Sequence, residues 1–181
     1  MKKILIIILL FLSTSTLGAN ERNTQLDKLF NELKKNISPS SSIIAQQIWT
    51  LWSTHPTDQK LTSILDEGSR LVQDQKLYKA IEVFTKVIEL DPNWAEAWNK
   101  RATVLYLVGQ YKKSQNDINR VLELEKRHFG ALAGQGLVNI KLKNYEKAIK
   151  SYEKALEIHP NMHSPELMIK EIEVLIKQEL I

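Results

Sequence analysis

Three stretches of this sequence repeat at a strict interval of about 34 residues, and this repeat period constrains the fold more than any other feature. The copies are residues 61–94, 95–128 and 129–162. Five aligned columns are in turn small, bulky, small, bulky and medium: Gly68, Ala102, Gly136; Leu77, Tyr111, Tyr145; Ala80, Ser114, Ala148; Phe84, Ile118, Tyr152; Val87, Val121, Ala155. These sizes suit two antiparallel helices per repeat, stacked on the next pair. The sequence therefore predicts an all-α helical solenoid, an α-α superhelix that offers a binding surface.

The third copy carries the fullest version of a known repeat motif: Leu132, Gly136, Tyr145, Ala148, Tyr152, Ala155 and Pro160. At these positions the chain resembles tetratricopeptide repeat (TPR) proteins, whose repeat reads W-x2-L-G-x2-Y, then A-x3-F, then P. The second copy departs from the motif with Ser114 for alanine and Lys126 for proline. Around Trp98 and His128 the chain also resembles small exported bacterial repeat proteins. The resemblance implies a non-catalytic protein-binding scaffold.

Helical patterns also flank the three copies. Leu26, Leu29, Phe30 and Leu33 share one helix face, and residues 23–58 read as a helical pair that forms a degenerate repeat or cap. Residues 164–181 predict a C-terminal capping helix with a wide apolar arc. Opposite that arc, three apolar residues spaced by seven predict an exposed seam for self-association or a partner helix: Leu167, Val174 and Ile181.

The first residues have the pattern of a secretory signal peptide. Lys2 and Lys3 precede an apolar run from Ile4 to Leu12, and small residues follow up to Ala19. We therefore expect a signal peptide over residues 1–19 and a periplasmic protein. The alternative is an uncleaved segment that anchors the chain to the membrane. The chain contains no cysteine, which excludes disulfides and a lipid-modified N-terminal cysteine.

Charge and motifs argue against nucleic-acid binding and catalysis. The formal net charge of +4 is small, and basic residues alternate with acidic ones. The sequence has no glycine-rich phosphate loop, no G-x-S-x-G and no H-E-x-x-H. His159 and His163 have metal-ligand spacing, but Pro160 places them on a turn. We predict no catalytic residue, no metal site, no cofactor and no small-molecule substrate.

The resemblance also implies a concave groove, lined by the first helix of each repeat. The family's groove positions correspond here to Thr62, Leu65, Ser69, Val72, Glu96, Asn99, Thr103, Tyr106, Leu137 and Lys141. Leu65 and Ser69 replace residues that the family's carboxylate clamp needs, so a helix or an extended segment with apolar anchors is the better partner. Tyr106 has the alternative role of packing between helices. The alternative functions are a structural homo-oligomer and a signal-anchored assembly factor at the membrane.

One column of the repeats is unusually polar for a position beside the small-residue column. It holds Glu67, Arg101 and Gln135. Because equivalent positions stack on adjacent repeats, we expect a ladder in which Arg101 bridges Glu67 and Gln135. The alternative is three solvated side chains.

Overall fold

The computed structural model describes residues 21–35 and 40–179. Helix α1 covers residues 21–35, and the helices that follow are α2 (Ser40–Ser53), α3 (Gln59–Gln73), α4 (Leu77–Leu90), α5 (Ala95–Leu107), α6 (Tyr111–Leu124), α7 (Phe129–Lys141), α8 (Tyr145–Ile158) and α9 (His163–Glu179). No strand occurs in these two ranges. The predicted all-α fold is confirmed, whereas the predicted signal peptide and Ile181 lie outside the described residues.

The chain divides into two compact units, and the division falls within α3, between Thr62 and Ser63. In the first unit α1 buries the predicted stripe of Leu26, Leu29, Phe30 and Leu33. The ring of Trp52 lies 5.8 Å from that of Phe30, centroid to centroid. Arg22 of α1 donates to the carbonyl oxygens of Leu51 and Thr54, which satisfies acceptors at the C-terminal end of α2.

In the second unit the helices themselves recur with the repeat period. The first helices of successive pairs begin at Ala95, Phe129 and His163. The second helices begin at Leu77, Tyr111 and Tyr145. Each pair is joined by the same short turn, in which one residue has positive φ: Gln75 (59°), Gly109 (76°) and Lys143 (58°). The amide that follows bonds back to the preceding helix, as in Asn144 N to Asn139 O at 2.8 Å, and closes that helix.

The size columns of the sequence correspond to direct contacts between the two helices of a pair. A Cβ added at Gly68 would lie 2.8 Å from Cδ1 of Phe84, and one at Gly136 would lie 2.6 Å from Cε1 of Tyr152. Both rings are almost fully buried. The helices of these pairs therefore approach so closely that only glycine fits against an aromatic ring.

Helix α9 begins one repeat period after α7 and packs on α8 as α7 packs on α6. It begins at His163, one residue earlier than expected, and helix ends vary by about that much. Ile172 is fully buried with Ala148 and Tyr152, and Met168, Ile169 and Ile176 pack around them. α9 therefore occupies the place of the first helix of a fourth repeat. Within the described ranges, no helix combines the length and apolar character that a bilayer crossing requires.

Candidate binding surface

The ten predicted groove residues differ widely in exposure. Thr62, Leu65, Glu96 and Asn99 are buried, and Ser69, Val72 and Tyr106 are half-buried. The exposed ones are Thr103, Leu137 and Lys141. The expectation that all ten line an open groove is therefore corrected for the four buried residues, whose side chains offer almost no surface to a partner.

Glu96 is buried because it belongs to a polar network between α5 and the start of α7. The Nδ1 atom of His128 accepts from the backbone N–H of Ala131 at 3.1 Å and caps α7. Its Nε2 atom therefore carries the proton and donates to Oε2 of Glu96 at 3.0 Å. The same oxygen accepts from the amide of Asn99 at 3.0 Å, and Lys100 Nζ lies 3.5 Å from Oε1. Glu96 thus links α5 to the start of α7, and Asn99 orients its carboxylate.

Thr62 is buried for a similar local reason. Its hydroxyl oxygen accepts the backbone N–H of His55 at 2.9 Å. The Nδ1 atom of His55 in turn accepts from the backbone N–H of Asp58 at 2.9 Å, which shapes the turn before α3. Thr62 therefore stabilises the turn that leads into α3, and its hydroxyl is not available to a ligand.

Apolar side chains are exposed at groove positions on three successive first helices. Leu107 of α5 is 53% exposed and Leu137 of α7 is 37% exposed. On α9, Leu167 is 59% exposed and Val174 is 52% exposed. Leu167 and Val174 lie one repeat period after Ala133 and Ile140, which are first-helix positions on α7. We call the exposed residues Thr103, Leu107, Leu137, Lys141, Leu167 and Val174 the first-helix face.

The two described members of the predicted seam therefore lie at groove positions of a fourth first helix. A different side of α9 is polar: Lys170 and Glu166 form an exposed ion pair of 3.0 Å. Lys170 lies one repeat period after Gly136, the position that must be glycine for a second helix to pack closely. α9 is thus polar where a second helix would pack, and on the first-helix side it exposes Leu167 and Val174 beside Glu171, which lies one repeat period after Leu137.

The predicted ladder between repeats names the wrong partners for Arg101. Arg101 donates to both oxygens of Asp117, at 2.7 and 2.9 Å, and to the hydroxyl of Thr85 at 3.0 Å. Glu67 is exposed instead. In the next repeat, Gln135 accepts from Ser151 at 3.1 Å. The reason is geometric: a first-helix side chain in this column faces the residue 16 positions later on the second helix of its own repeat.

Two further buried side chains have shifted pKa values. Burial lowers the pKa of His159, whose ring stands edge-on to Phe129 at 5.2 Å. Burial also raises the pKa of Tyr152. His163 is exposed. In residues 21–35 and 40–179, no three His, Asp or Glu side chains come together in a way that could hold a metal ion.

Comparison with known proteins identifies the family. The model of the family described as tetratricopeptide repeat matches residues 130–162. A TPR repeat-containing protein of Rhizobium etli is 33% identical over 137 residues, which are 75% of this chain and 67% of that protein. The chain belongs to the tetratricopeptide repeat family. The resemblance seen in the sequence is therefore confirmed.

Other relatives of this TPR protein are more distant. RNA polymerase II-associated protein 3 of Homo sapiens is 25% identical over 136 residues, and the chain covers 20% of its length. Among solved structures, the first TPR of Spaghetti (RPAP3) bound to HSP90 peptide SRMEEVD has a TM-score of 0.64 at 24% identity, covering 66% of this chain and 94% of that one. MamA has a TM-score of 0.60 at 19% identity, covering 76% and 84%. These likenesses show the TPR solenoid fold.

Proposed function

We propose that this TPR protein is a non-catalytic interaction module that binds a peptide or helix of another protein on its first-helix face. The supporting observation is that α5, α7 and α9 each expose at least one apolar side chain at a first-helix position. A single exposed leucine is ordinary on a protein surface, whereas several on one face of a repeat array favour an interaction site. The solved structure of Spaghetti with an HSP90 peptide gives a precedent within the family for peptide binding.

The partner segment is anchored by apolar side chains rather than by a charged tail. The peptide bound by Spaghetti, SRMEEVD, ends in acidic residues. Here Leu65 is buried and Ser69 is half-buried at two positions that a carboxylate clamp would use. Lys141 is the exposed cation of the first-helix face. A segment with leucine-like residues at helical spacing suits this face better than a polyanionic end.

The proposed location is the periplasm, after export directed by residues 1–19. This proposal rests on the two lysines, the apolar run from Ile4 to Leu12 and the small residues before Asn20. Fractionation of cells, with N-terminal sequencing of the recovered protein, tests it. A chain that starts at Met1 and stays in the membrane fraction would instead support the anchored assembly factor.

A photo-crosslinking amino acid at Thr103 tests the proposed face directly. Thr103 is exposed, whereas Asn99 on the same side of α5 is buried in the Glu96 network. The matched control carries the same amino acid at Leu90, which is 57% exposed at the end of α4, a second helix. We expect a specific protein adduct from position 103 and none from position 90.

The affinity of variants of this chain for the captured partner then tests the proposal. Leu137→Glu with Leu167→Glu places two charges in the apolar contact and should weaken binding about tenfold or more, whereas Leu90→Glu should leave it unchanged. Equal effects from both variants would exclude the first-helix face as the binding site. If position 103 captures only a second copy of this chain, and light scattering shows a dimer, the structural homo-oligomer replaces the proposal.

A further inference from the structure

A second surface of the molecule is a cleft with a different chemistry. It lies between α6, α7 and α8, has a volume of about 430 Å³ and is lined mainly by amide and lysine side chains. Its floor includes Asn139 and Ser151, both buried. Lys147, Lys150 and Lys154 stand along α8 at its edge. The volume is within the range of natural ligand pockets, roughly 300–1,000 Å³. We call this surface the amide cleft.

The amide cleft has a counterpart one repeat earlier that works as an internal comparison. The earlier cleft, of about 400 Å³, is lined by Ile81, Thr85, Arg101, Leu105 and Asp117 among others. Each of these five lies one repeat period before a lining residue of the amide cleft: Gln115, Asn119, Gln135, Asn139 and Ser151. Two apolar residues, a threonine and an internal ion pair are thus replaced by four amides and a serine.

The two clefts also differ in the charged residues that line them. The earlier cleft is lined by the ion pair of Arg101 and Asp117 and by a single lysine, Lys113. No carboxylate lines the amide cleft, while three lysines do. Within residues 21–35 and 40–179, none of these three lysines has an ion-pair partner. The amide cleft therefore has three lysines over an uncharged polar floor, while Glu146 and Glu153 lie one helical turn from Lys150, outside the lining.

The amides leave both donors and an acceptor unused. Gln115 donates through Nε2 to Asn119 Oδ1 at 2.8 Å, which fixes the orientation of its amide. Its Oε1 atom is buried and, among the described residues, finds no donor. The amide N–H groups of Asn119 and Gln135 find no acceptor there. The enclosed oxygen of Gln115 offers no surface to a ligand, but the amides of Asn119 and Gln135 keep free N–H donors and each oxygen has a second lone pair. A ligand that supplies both N–H and C=O groups, as a peptide backbone does, matches these two amides, whereas a phosphate offers acceptors only.

We propose that the amide cleft binds an acidic peptide segment, whose backbone bonds to Asn119 and Gln135 and whose carboxylates lie against the three lysines. This site is separate from the first-helix face. At 3.6 residues per turn, Gln135 and Asn139 point about 160° away from Leu137 and Lys141 around α7. One chain can thus hold an apolar segment on one side and an acidic segment on the other.

The test uses the purified chain and a fluorescent peptide of alternating glutamate and glycine, with its glutamine analogue as the uncharged reference. Anisotropy measures binding at several salt concentrations. Replacing Lys147, Lys150 and Lys154 with glutamine should weaken binding of the glutamate peptide about tenfold. The matched control replaces Lys79, Lys86 and Lys126, which are exposed, lie outside both clefts and remove the same charge.

A second variant keeps the lysines and changes the floor. Gln135→Arg with Ser151→Asp copies the ion pair of the earlier cleft and should abolish binding. Side-chain NH₂ signals of Asn119 and Gln135 should shift on titration of the wild-type chain. Absence of binding, or equal weakening by the control variant, overturns the proposal. Tighter binding of polyphosphate or single-stranded DNA than of the peptide would also overturn it, because the ligand would then be a phosphate polyanion.

Discussion

At the scale of single residues, the small column and the aromatic column of the repeats are matched in size. Gly68 faces Phe84 and Gly136 faces Tyr152, whereas the equivalent pair of the second repeat is Ala102 with the smaller Ile118. Alanine is therefore accepted only where the partner is not aromatic. The helices of a repeat adjust to the available volume within their own pair, as expected of a close-packed core.

Gly136→Ala should destabilise the protein by about 1–3 kcal/mol, because the new methyl group overlaps the buried ring of Tyr152. Gly134→Ala is the matched control on the same helix. A Cβ there meets only Cδ1 of Ile118 at 3.8 Å, so helix propensity should raise stability by up to about 1 kcal/mol. Urea unfolding followed by circular dichroism measures both changes.

The same overlap predicts a specific coupling. Tyr152→Ile recreates the alanine–isoleucine pair of the second repeat when it is combined with Gly136→Ala. The double variant should lose less stability than the two single variants together. Strict additivity, or equal behaviour of the two glycine variants, would show that the ring does not limit the approach of α7 and α8.

At the scale of helices, much of the architecture could be predicted from the sequence. The repeat period and the stripe of Leu26, Leu29, Phe30 and Leu33 depend on local spacing, which the chain displays directly. The partner of Arg101 depends on which helix its side chain faces, and the period alone does not reveal this. The available signal is the spacing of two opposite charges, since Asp117 follows Arg101 by 16 positions, from a first helix to the second helix of the same repeat.

The groove residues show the same limit. The repeat positions correctly select the first helices, but burial at each position depends on neighbours that vary between repeats. Glu96 is enclosed because His128 occupies the cap of the next helix, and the residues one repeat away from His128, Trp94 and Met162, have no imidazole that could both cap a helix and donate to a carboxylate. The place of α9 as a fourth first helix could be predicted from the sequence, because His163 follows Phe129 by one repeat period.

Arg101→Gln should lower the free energy of unfolding by about 3 kcal/mol, because it strands the carboxylate of Asp117 in a nearly buried position. The side chains of Arg101 and Asp117 are only 18% and 7% exposed. Adding Asp117→Ser copies the glutamine–serine pair of the third repeat and should recover most of the loss. Arg120→Gln, which breaks an exposed pair with Glu123, should change stability by less than about 1 kcal/mol. Thermal and urea unfolding compare the three variants, and similar losses for Arg101→Gln and Arg120→Gln would contradict a buried ion pair.

At the scale of the whole molecule, the helices from α4 onward contact mainly their neighbours in sequence. Stability in such an array is a sum of local terms, so damage at one end should stay near that end. Ile172 tests this property, since it is fully buried against α8 near the C-terminal end of the array. Val174 is the matched control on the same helix, because it is 52% exposed.

Ile172→Ala should cost about 2–5 kcal/mol, because it opens a cavity beside Ala148 and Tyr152, and Val174→Ala should cost less than about 1 kcal/mol. Hydrogen exchange followed by mass spectrometry shows where the loss occurs. In Ile172→Ala, amides of α8 and α9 should exchange faster, while those of α4 and α5 keep most of their protection. Equal acceleration in every helix would mean that the repeats unfold as one cooperative block.

If α9 can unfold locally by itself, Leu167 and Val174 leave the first-helix face whenever it does, and binding there should stabilise α9. A bound partner should therefore slow exchange in α9 more than in α5, even though both helices carry contact residues.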